Sequence, residues 1–348
     1  MKKEKLIISA DDLSIGYRVS SHRQKLVHSH LDFQLYRGEL TCLLGANGTG
    51  KSTLLRTLAA SQPPLSGMLF LAGKLLSTYN ERELSRMIGV VLTDKTQAGG
   101  LSVYDLVALG RQPHTGFFGR LQSSDHAAIE KAIADVCIVH KAHHYVAELS
   151  DGERQKALIA KALVQECPLI LLDEPTAFLD VVSRIEVMNL LHTLAHTQQK
   201  AILLSTHDVE QALVLADKLW LFSEEEGLQC GVTEDLILSG AMNHLFGGES
   251  VLFDTQHGTY YPLVGGRKLI RLRASDDLLQ HWTINALNRQ GYNCLLGEEN
   301  SQNDQSLRGE CPLLTVRSSQ ELILSNGEQI HRCYSFKELL SILPEATL

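Results

Sequence analysis

Gly45-Ala46-Asn47-Gly48-Thr49-Gly50-Lys51-Ser52 fits G-x-x-x-x-G-K-[ST] at every fixed position, and that spacing is a phosphate-binding device. The glycines let successive backbone N–H groups turn inward around an anion. Lys51 can bridge the β and γ phosphates of a nucleotide, and the Ser52 hydroxyl is placed to ligate Mg²⁺. At average glycine usage a chance match in a chain of this length has a probability of roughly 1%. The flanks suit the device: Glu39 to Leu44 reads as a buried strand, and Thr53 to Ala59 as the helix that the loop opens. The segment predicts a nucleotide binder, and the bland alternative is a glycine turn between strand and helix.

The chain has 348 residues, enough for one large domain and an appendage. A hydrophobic fraction of 44% and a charged fraction of 21% exclude disordered and fibrous classes. The formal charge of -8, with no Lys/Arg run, argues against nucleic acid as a partner. Seven scattered cysteines without a C-x-x-C pair suit a reducing compartment better than a disulfide or zinc framework. Met1 to Ala10 begins with basic residues like a signal peptide, but Asp11-Asp12 cuts its apolar run short. No stretch approaches the ~20 apolar residues of a membrane helix. The expectation is a soluble, cytoplasmic chain that meets a membrane only through a partner.

Up to Leu44 the pattern suggests short alternating strands, a β-rich lobe leading into the loop. Strands are expected at Met68 to Gly73, Ile88 to Leu92, Leu169 to Leu172 and Ala201 to Leu204. Helices are expected at Glu81 to Met87, Asp125 to Val139, Lys156 to Val164 and Val182 to Thr197. Strands alternating with helices imply a mainly parallel sheet covered on both faces. The character changes after Gly247. Residues 247–266 read as a hairpin and linker, with a turn at His257-Gly258 and a break at Gly265-Gly266. Residues 267–348 read as a small α/β unit. Its helix over Asp276 to Gln290 is expected to pack Leu279, Trp282, Thr283 and Ala286 on one face and stop at Gly291. A polar loop over 297–310, an Asn326-Gly327 turn and a last helix capped by Ser335 and Glu338 complete it.

Three further elements bear on the chemistry. Leu169-Ile170-Leu171-Leu172-Asp173-Glu174 is a buried strand ending in two carboxylates. Asp173 can hold the Mg²⁺ shell and Glu174 can polarise a water in line with a γ phosphate. A plain acidic turn is the alternative, but two carboxylates beside a phosphate loop repel nucleotide unless a metal screens them. Leu149-Ser150-Asp151-Gly152-Glu153-Arg154-Gln155 opens a helix, with Ser150 and Glu153 spaced as a capping box. That explains the residues without any ligand; the functional alternative is a helix N-terminus and Ser150 hydroxyl that receive a γ phosphate. In Leu203-Leu204-Ser205-Thr206-His207-Asp208 a histidine follows an apolar strand, and alone it would read as structural.

In this order and spacing these elements resemble the ATP-binding cassette of ABC transporters, from the start of the chain to about residue 240. The resemblance implies a P-loop NTPase fold with a β-rich lobe, a parallel sheet core and a helical subdomain; this ABC-type domain is taken as residues 1–246, followed by the hairpin and linker and then by the small C-terminal α/β unit, which lies outside the resemblance. It implies that Gly45, Asn47, Gly48, Gly50, Lys51, Ser52 and Thr53 of Walker A bind ATP. Ser52 and Asp173 of Walker B would bind Mg²⁺, Glu174 would be the catalytic carboxylate, and His207 the switch histidine. Ser150 and Gly152 of the signature motif, with Asp180 of the D-loop Ala177-Phe178-Leu179-Asp180, would complete a site on a second copy of the chain. Tyr17 is placed like the aromatic that stacks on adenine.

Two departures stand out. Asp151 occupies a position where the signature has glycine, adding a carboxylate near a γ phosphate unless it points away. Thr93-Asp94 stands where the Q-loop glutamine should follow the Ile88 to Leu92 strand; the Thr93 hydroxyl or the Asp94 carboxylate can ligate Mg²⁺ or water, and Thr93, Asp94 and Gln97 all stay open as the coupling residue.

Leu101 to His114 resembles the helical-subdomain segment of importers for ferric siderophores, haem and vitamin B12, although an ordinary helix followed by a Gly/Pro loop would read similarly. The resemblance implies a Mg²⁺-dependent ATPase working as a homodimer on the cytoplasmic face of integral-membrane permease subunits, fed indirectly by a substrate-binding protein. The competing readings are a soluble non-transport ABC ATPase and an ATP-binding regulatory protein with little turnover.

Overall fold

The computed structural model describes residues 5–20, 23–92, 100–116, 119–246, 251–262, 268–296, 311–326 and 329–346. The chain divides into two compact units. The first comprises Met1–Gly248 with Phe253–Tyr260, and the second Glu249–Leu252 with Tyr261–Leu348. Among the described residues no helix is long and apolar enough to cross a membrane.

The first unit opens with two long antiparallel strands, β1 (Leu6–Ser20) and β2 (Arg23–Tyr36), where the sequence suggests several short ones. Bulges account for the difference. Asp12 and His30 take positive φ values of 49° and 56° near register shifts in the pair, which interrupts the two-residue alternation without ending either strand. An Asp12–His30 contact of 2.6 Å joins the two irregular positions.

The chain continues through β3 (Leu40–Leu44), α1 (Lys51–Leu58), β4 (Ser66–Leu71), β5 (Lys74–Leu75), α2 (Glu81–Met87) and β6 (Ile88–Val91). Next come α3 (Val103–Ala108), α4 (Ser123–Asp135), α5 (Asp151–Leu163), β7 (Leu169–Asp173), α6 (Val181–Thr197), β8 (Ala201–Ser205) and α7 (Val209–Leu215). The run ends with β9 (Lys218–Ser223), β10 (Gly227–Val232), α8 (Thr233–Leu238) and the hairpin strands β11 (Val251–Asp254) and β12 (Thr259–Pro262). The helix α5 begins at Asp151, five residues before the expected start. The Ser150–Glu153 capping box already satisfies its first turn, so the motif belongs to the helix rather than leading into it.

A four-stranded sheet has the order β2-β1-β4-β5, and a six-stranded sheet the order β10-β9-β3-β8-β7-β6. All neighbours from β9 to β6 in the larger sheet are parallel; β10 is antiparallel to β9. Its side chains alternate between two cores. Leu40, Cys42, Leu44, Ile170, Leu172, Ile202, Leu204, Leu219 and Leu221 face α3, α4, α5 and α6. Leu43, Leu169, Leu171, Leu203, Trp220 and Phe222 face the smaller sheet and α1. Burial on both faces is why these strands read as unbroken apolar runs. It leaves only the strand ends for polar chemistry.

Around the hairpin, Phe253 and Tyr260 pack in the first unit, the Tyr260 ring lying edge-on to Phe246 at 4.7 Å and its hydroxyl donating to the Met242 carbonyl at 2.6 Å. Burial raises the Tyr260 hydroxyl pKa well above its ordinary value.

The second unit contains β13 (Lys268–Ala274), α9 (Asp277–Asn288), β14 (Tyr292–Leu296), β15 (Leu313–Ser318), β16 (Glu321–Asn326), β17 (Gln329–Cys333) and α10 (Phe336–Ala346). Its sheet has the order β14-β13-β15-β16-β17, with β13 parallel to both neighbours and the rest antiparallel. Ile270, Leu272, Leu314, Val316, Leu322 and Leu324 form a core with Leu287 of α9 and Leu339 and Leu343 of α10. The expected face of α9 holds at Leu279, Thr283 and Ala286 and is corrected at Trp282. Thr283, Ala286 and Leu287 are buried, an i, i+3, i+4 set, whereas Trp282 is 58% exposed. The last helix is capped as expected, Ser335 Oγ accepting the Glu338 N–H, although the Glu338 carboxylate reaches back to Tyr334 N. The loop 297–310, Gly265, Gly266 and Gly327 lie outside the described residues.

Candidate functional site

The glycine loop joins the C-terminal end of β3 to α1, and two of its glycines are required by space. A Cβ at Gly45 would lie 2.3 Å from the Phe222 carbonyl oxygen. At Gly50 it would lie 2.5 Å from Val27 Cγ1, on a backbone with φ +100°. Lys51, only 6% exposed, donates from Nζ to the carbonyls of Gly45 and Ala46 at 2.8 and 3.0 Å. Burial lowers its pKa, against the pull of Glu174 and Asp173. The ammonium thus closes the loop from inside, along the path a phosphate would take.

Beside the loop, Ser52 Oγ donates to Asp173 Oδ1 at 3.4 Å. A hydroxyl and a carboxylate facing each other are hard oxygen donors of the kind Mg²⁺ accepts, so the pair fits that ion. Asp173 ends β7 and Ser205 ends the adjacent strand β8. Ser205 Oγ donates to Asp173 Oδ1 at 2.7 Å and accepts the Glu174 N–H at 2.9 Å. Glu174 adopts φ 48°, a left-handed conformation uncommon for glutamate, and the Ser205 contacts hold it there. His207 Nε2 lies 2.9 Å from Glu174 Oε1.

A cavity of about 1010 Å³ opens in front of the loop. It brings together Tyr17, Asn47, Gly48, Gly50, Lys51, Ser52, Thr53 and Glu174. Tyr17 is pinned by a 2.5 Å contact between its hydroxyl and Thr53 Oγ1. Ser150, Gly152, Asp180 and His207 are not among the residues lining the cavity. His207 contacts Glu174, which does line it.

Ser150 and Gly152 lie at the start of α5 and Asp180 at the start of α6, and the two helix starts meet at Ser183. Ser150 Oγ accepts the Glu153 N–H at 3.3 Å, and Ser150 N donates to the Glu153 carboxylate at 3.0 Å. That backbone bond lowers the Glu153 pKa. Asp180 caps α6 through Ser183 N and Oγ at 3.0 and 2.7 Å, and the first of these holds its own pKa down. A Cβ at Gly152 would lie 2.8 Å from Ser183 Oγ. The extra carboxylate of Asp151 is engaged by Arg154 at 2.9 Å, so its charge is paired within the first turn of α5. Thr93, Asp94 and Gln97 lie outside the described residues.

Sequence reasoning missed three contributors. Ser205 looks like the polar end of an apolar strand. His28 of β2 stacks on Phe222 at 4.3 Å and bonds the Thr49 carbonyl at 3.0 Å, with its pKa lowered by burial. Glu224, Glu225 and Glu226, in the turn before β10, also line the cavity. Only the Glu run carries a sequence signal, three adjacent carboxylates after an apolar strand.

The segment Leu101 to His114 has a structural centre in Arg111. This guanidinium, 6% exposed, pairs with Asp125 of α4 and with Glu166 beyond α5, each at 2.8 Å, and donates to the Val164 carbonyl at 2.9 Å. Arg111 in turn holds the Glu166 carboxyl below its ordinary pKa.

Residues 28–177 match the ABC transporter family, and residues 266–344 the iron ABC transporter C-terminal domain. An ABC transporter ATP-binding protein of Methanocaldococcus jannaschii is 35% identical over 74% of this chain and 85% of its own length. The ferric enterobactin transport ATP-binding protein of Escherichia coli is 33% identical over 71% of this chain and 89% of its own. Among solved structures, an inward-facing ABC transporter described as metal-chelate type aligns with a TM-score of 0.59 at 29% identity, covering 74% of this chain and 95% of the other. A dimeric bacterial ABC cassette aligns with a TM-score of 0.56 at 21% identity, over 65% and 99% of the two chains, a likeness of fold.

Proposed function

This chain belongs to the ABC transporter family as an ATP-binding subunit, and we propose that it hydrolyses ATP to drive import of a metal chelate through a membrane permease. The observation that carries the reading is a conjunction within one chain. The loop of Lys51 and Ser52 faces Asp173 and Glu174, and residues 266–344 match a domain described from iron transporters. The relative from Escherichia coli is named for ferric enterobactin transport, which supports a ferric siderophore as cargo; haem and cobalamin stand beside it on the resemblance of Leu101 to His114 alone.

In the proposed reaction a water oxygen bonds to the γ phosphorus as the bond to the β,γ-bridging oxygen breaks, giving ADP and phosphate. Glu174 takes the water's proton, and His207, 2.9 Å away, orients that carboxylate. Lys51 exchanges its carbonyl partners for phosphate oxygens. Ser52 and Asp173 would hold Mg²⁺, which when bound neutralises charge building on the phosphates. Tyr17 and Thr53 lie on the cavity wall where the nucleoside portion would rest. Ser150, Gly152 and Asp180 lie outside the cavity of their own chain, which favours a homodimer in which each copy supplies these residues to the other's nucleotide.

On this reading the chain is peripheral to the cytoplasmic face of the membrane. It contacts permease subunits directly and a substrate-binding protein only through them. Proteoliposomes holding the chain with its permease should accumulate a ferric siderophore, haem or cobalamin only when MgATP is on the chain's side. Accumulation of an unrelated sugar or peptide, with none of these chelates moved, would overturn the cargo class. Absence of MgATP hydrolysis by the assembled complex would overturn the enzymatic reading.

A further inference from the structure

The phosphate loop and the catalytic carboxylates follow the C-terminal ends of β3 and β7. At the other end of the same sheet, where β3 and its parallel neighbour β9 begin, lies a cluster unconnected with nucleotide chemistry. His192 and His196 of α6 and Asp217, which directly precedes β9, place two imidazole nitrogens and a carboxylate oxygen within 4.8 Å of one another. The histidines are four residues apart, on one helix face, with ring centroids 4.4 Å apart. His196 Nε2 lies 3.2 Å from Asp217 Oδ2.

Four features favour a cation here. Leu40 fixes Asp217 from both sides: the Leu40 N–H donates to Asp217 Oδ2 at 2.7 Å, and the Asp217 N–H donates to the Leu40 carbonyl at 2.9 Å. Outer contacts of this kind orient a ligating carboxylate. His196 also lies in the last turn of α6, where the helix dipole favours positive charge. The nearby ammonium of Lys218 is engaged by Glu39 at 2.8 Å and by the Tyr36 ring, so it does not stand as an unbalanced competing charge. The His196 and Asp217 side chains are 41% and 30% exposed, which leaves an entry path and room for water ligands.

We propose that His192, His196 and Asp217 bind a divalent first-row transition ion such as Zn²⁺, Co²⁺ or Ni²⁺. Two imidazoles and one carboxylate suit these ions, whereas Mg²⁺ and Ca²⁺ prefer an all-oxygen shell. The bound ion clamps the C-terminal end of α6 to the start of β9 and, through Leu40, of β3. The helix whose N-terminus carries the Asp180 cap is thereby anchored at its far end.

The test is Co²⁺ uptake by the full chain after chelator treatment, read by equilibrium dialysis and visible absorption, with melting measured in Zn²⁺. Wild type should take up one equivalent more than His192→Ala/His196→Ala, and Zn²⁺ should raise its Tm but not that of the variant. Each single histidine substitution should weaken this site by at least the roughly 10–100-fold that follows loss of an outer-shell partner. Asp217→Asn, which keeps an oxygen acceptor for the Leu40 N–H, guards against misfolding and should lose affinity while melting like wild type without metal. Equal Co²⁺ stoichiometry and spectra in wild type, the histidine variants and Asp217→Asn would overturn the proposal and leave only a His196–Asp217 contact.

Discussion

Ser205 Oγ donates to Asp173 Oδ1 at 2.7 Å, joining the ends of neighbouring parallel strands β8 and β7. The same oxygen accepts the Glu174 N–H, so one fully buried hydroxyl sets the position of both carboxylates. Ser205→Ala removes a donor and an acceptor that no water can replace. Losing these two hydroxyl bonds, one of them to a carboxylate, costs about 1–3 kcal/mol, so turnover should fall roughly 10–100-fold. ATP binding measured without Mg²⁺ should hardly change. Wild-type turnover in the alanine variant would mean that the strand ends alone position the pair.

Glu174→Gln keeps the shape of the site and the contact to His207 but cannot accept a proton. Steady-state hydrolysis should drop roughly 10²- to 10⁴-fold, the range for a positioned general base. Nucleotide affinity should persist, and gel filtration with MgATP should show a trapped dimer. Near-normal hydrolysis would remove Glu174 from the role.

Arg111 is the structural prediction. Arg111→Met strands Asp125, whose carboxylate is as buried as the guanidinium it loses. Removing one partner of a buried pair costs about 3–5 kcal/mol, so the urea midpoint should fall sharply. ATPase activity per folded molecule should change little. Adding Asp125→Asn should recover part of the loss, because it removes the stranded charge.

Acid sensitivity should trace in part to His28. Burial against Phe222 lowers its pKa from the ordinary 6.5, so as pH falls below that value the unfolded chain takes up the proton first. The contribution is complete above 6.5 and is lost as pH falls through the lowered folded value. His28→Phe keeps an aromatic ring against Phe222 and cannot titrate, so its denaturation midpoint should fall less than that of wild type between about pH 7 and pH 5. Identical pH profiles for the two proteins would clear His28.

What was legible in the sequence is what backbone geometry forces on residue type. Gly45 and Gly50 are visible because a Cβ at either position collides with a neighbour, and Asp173-Glu174 because a doubly buried strand can turn polar only at its end. Ser205 and His28 stayed hidden because their roles depend on partners in other segments, Asp173 and Thr49. The long strands β1 and β2 were obscured by their own bulges, since Asp12 and His30 break the alternation by which strands are recognised. On α9, Trp282 lies one position short of Thr283, at the edge of the buried stripe, and is exposed. The helix turns Leu287 inward instead.

The fit of Gly152 against Ser183 has a mechanical meaning. Two helices whose motifs are thirty residues apart in the chain mesh there without clearance, and the tooth on one side is the residue that Asp180 grips. A tilt of α5 toward Ser183 would press on the cap of α6. A larger side chain at 152 would jam the bearing, and a smaller one at 183 would give it play.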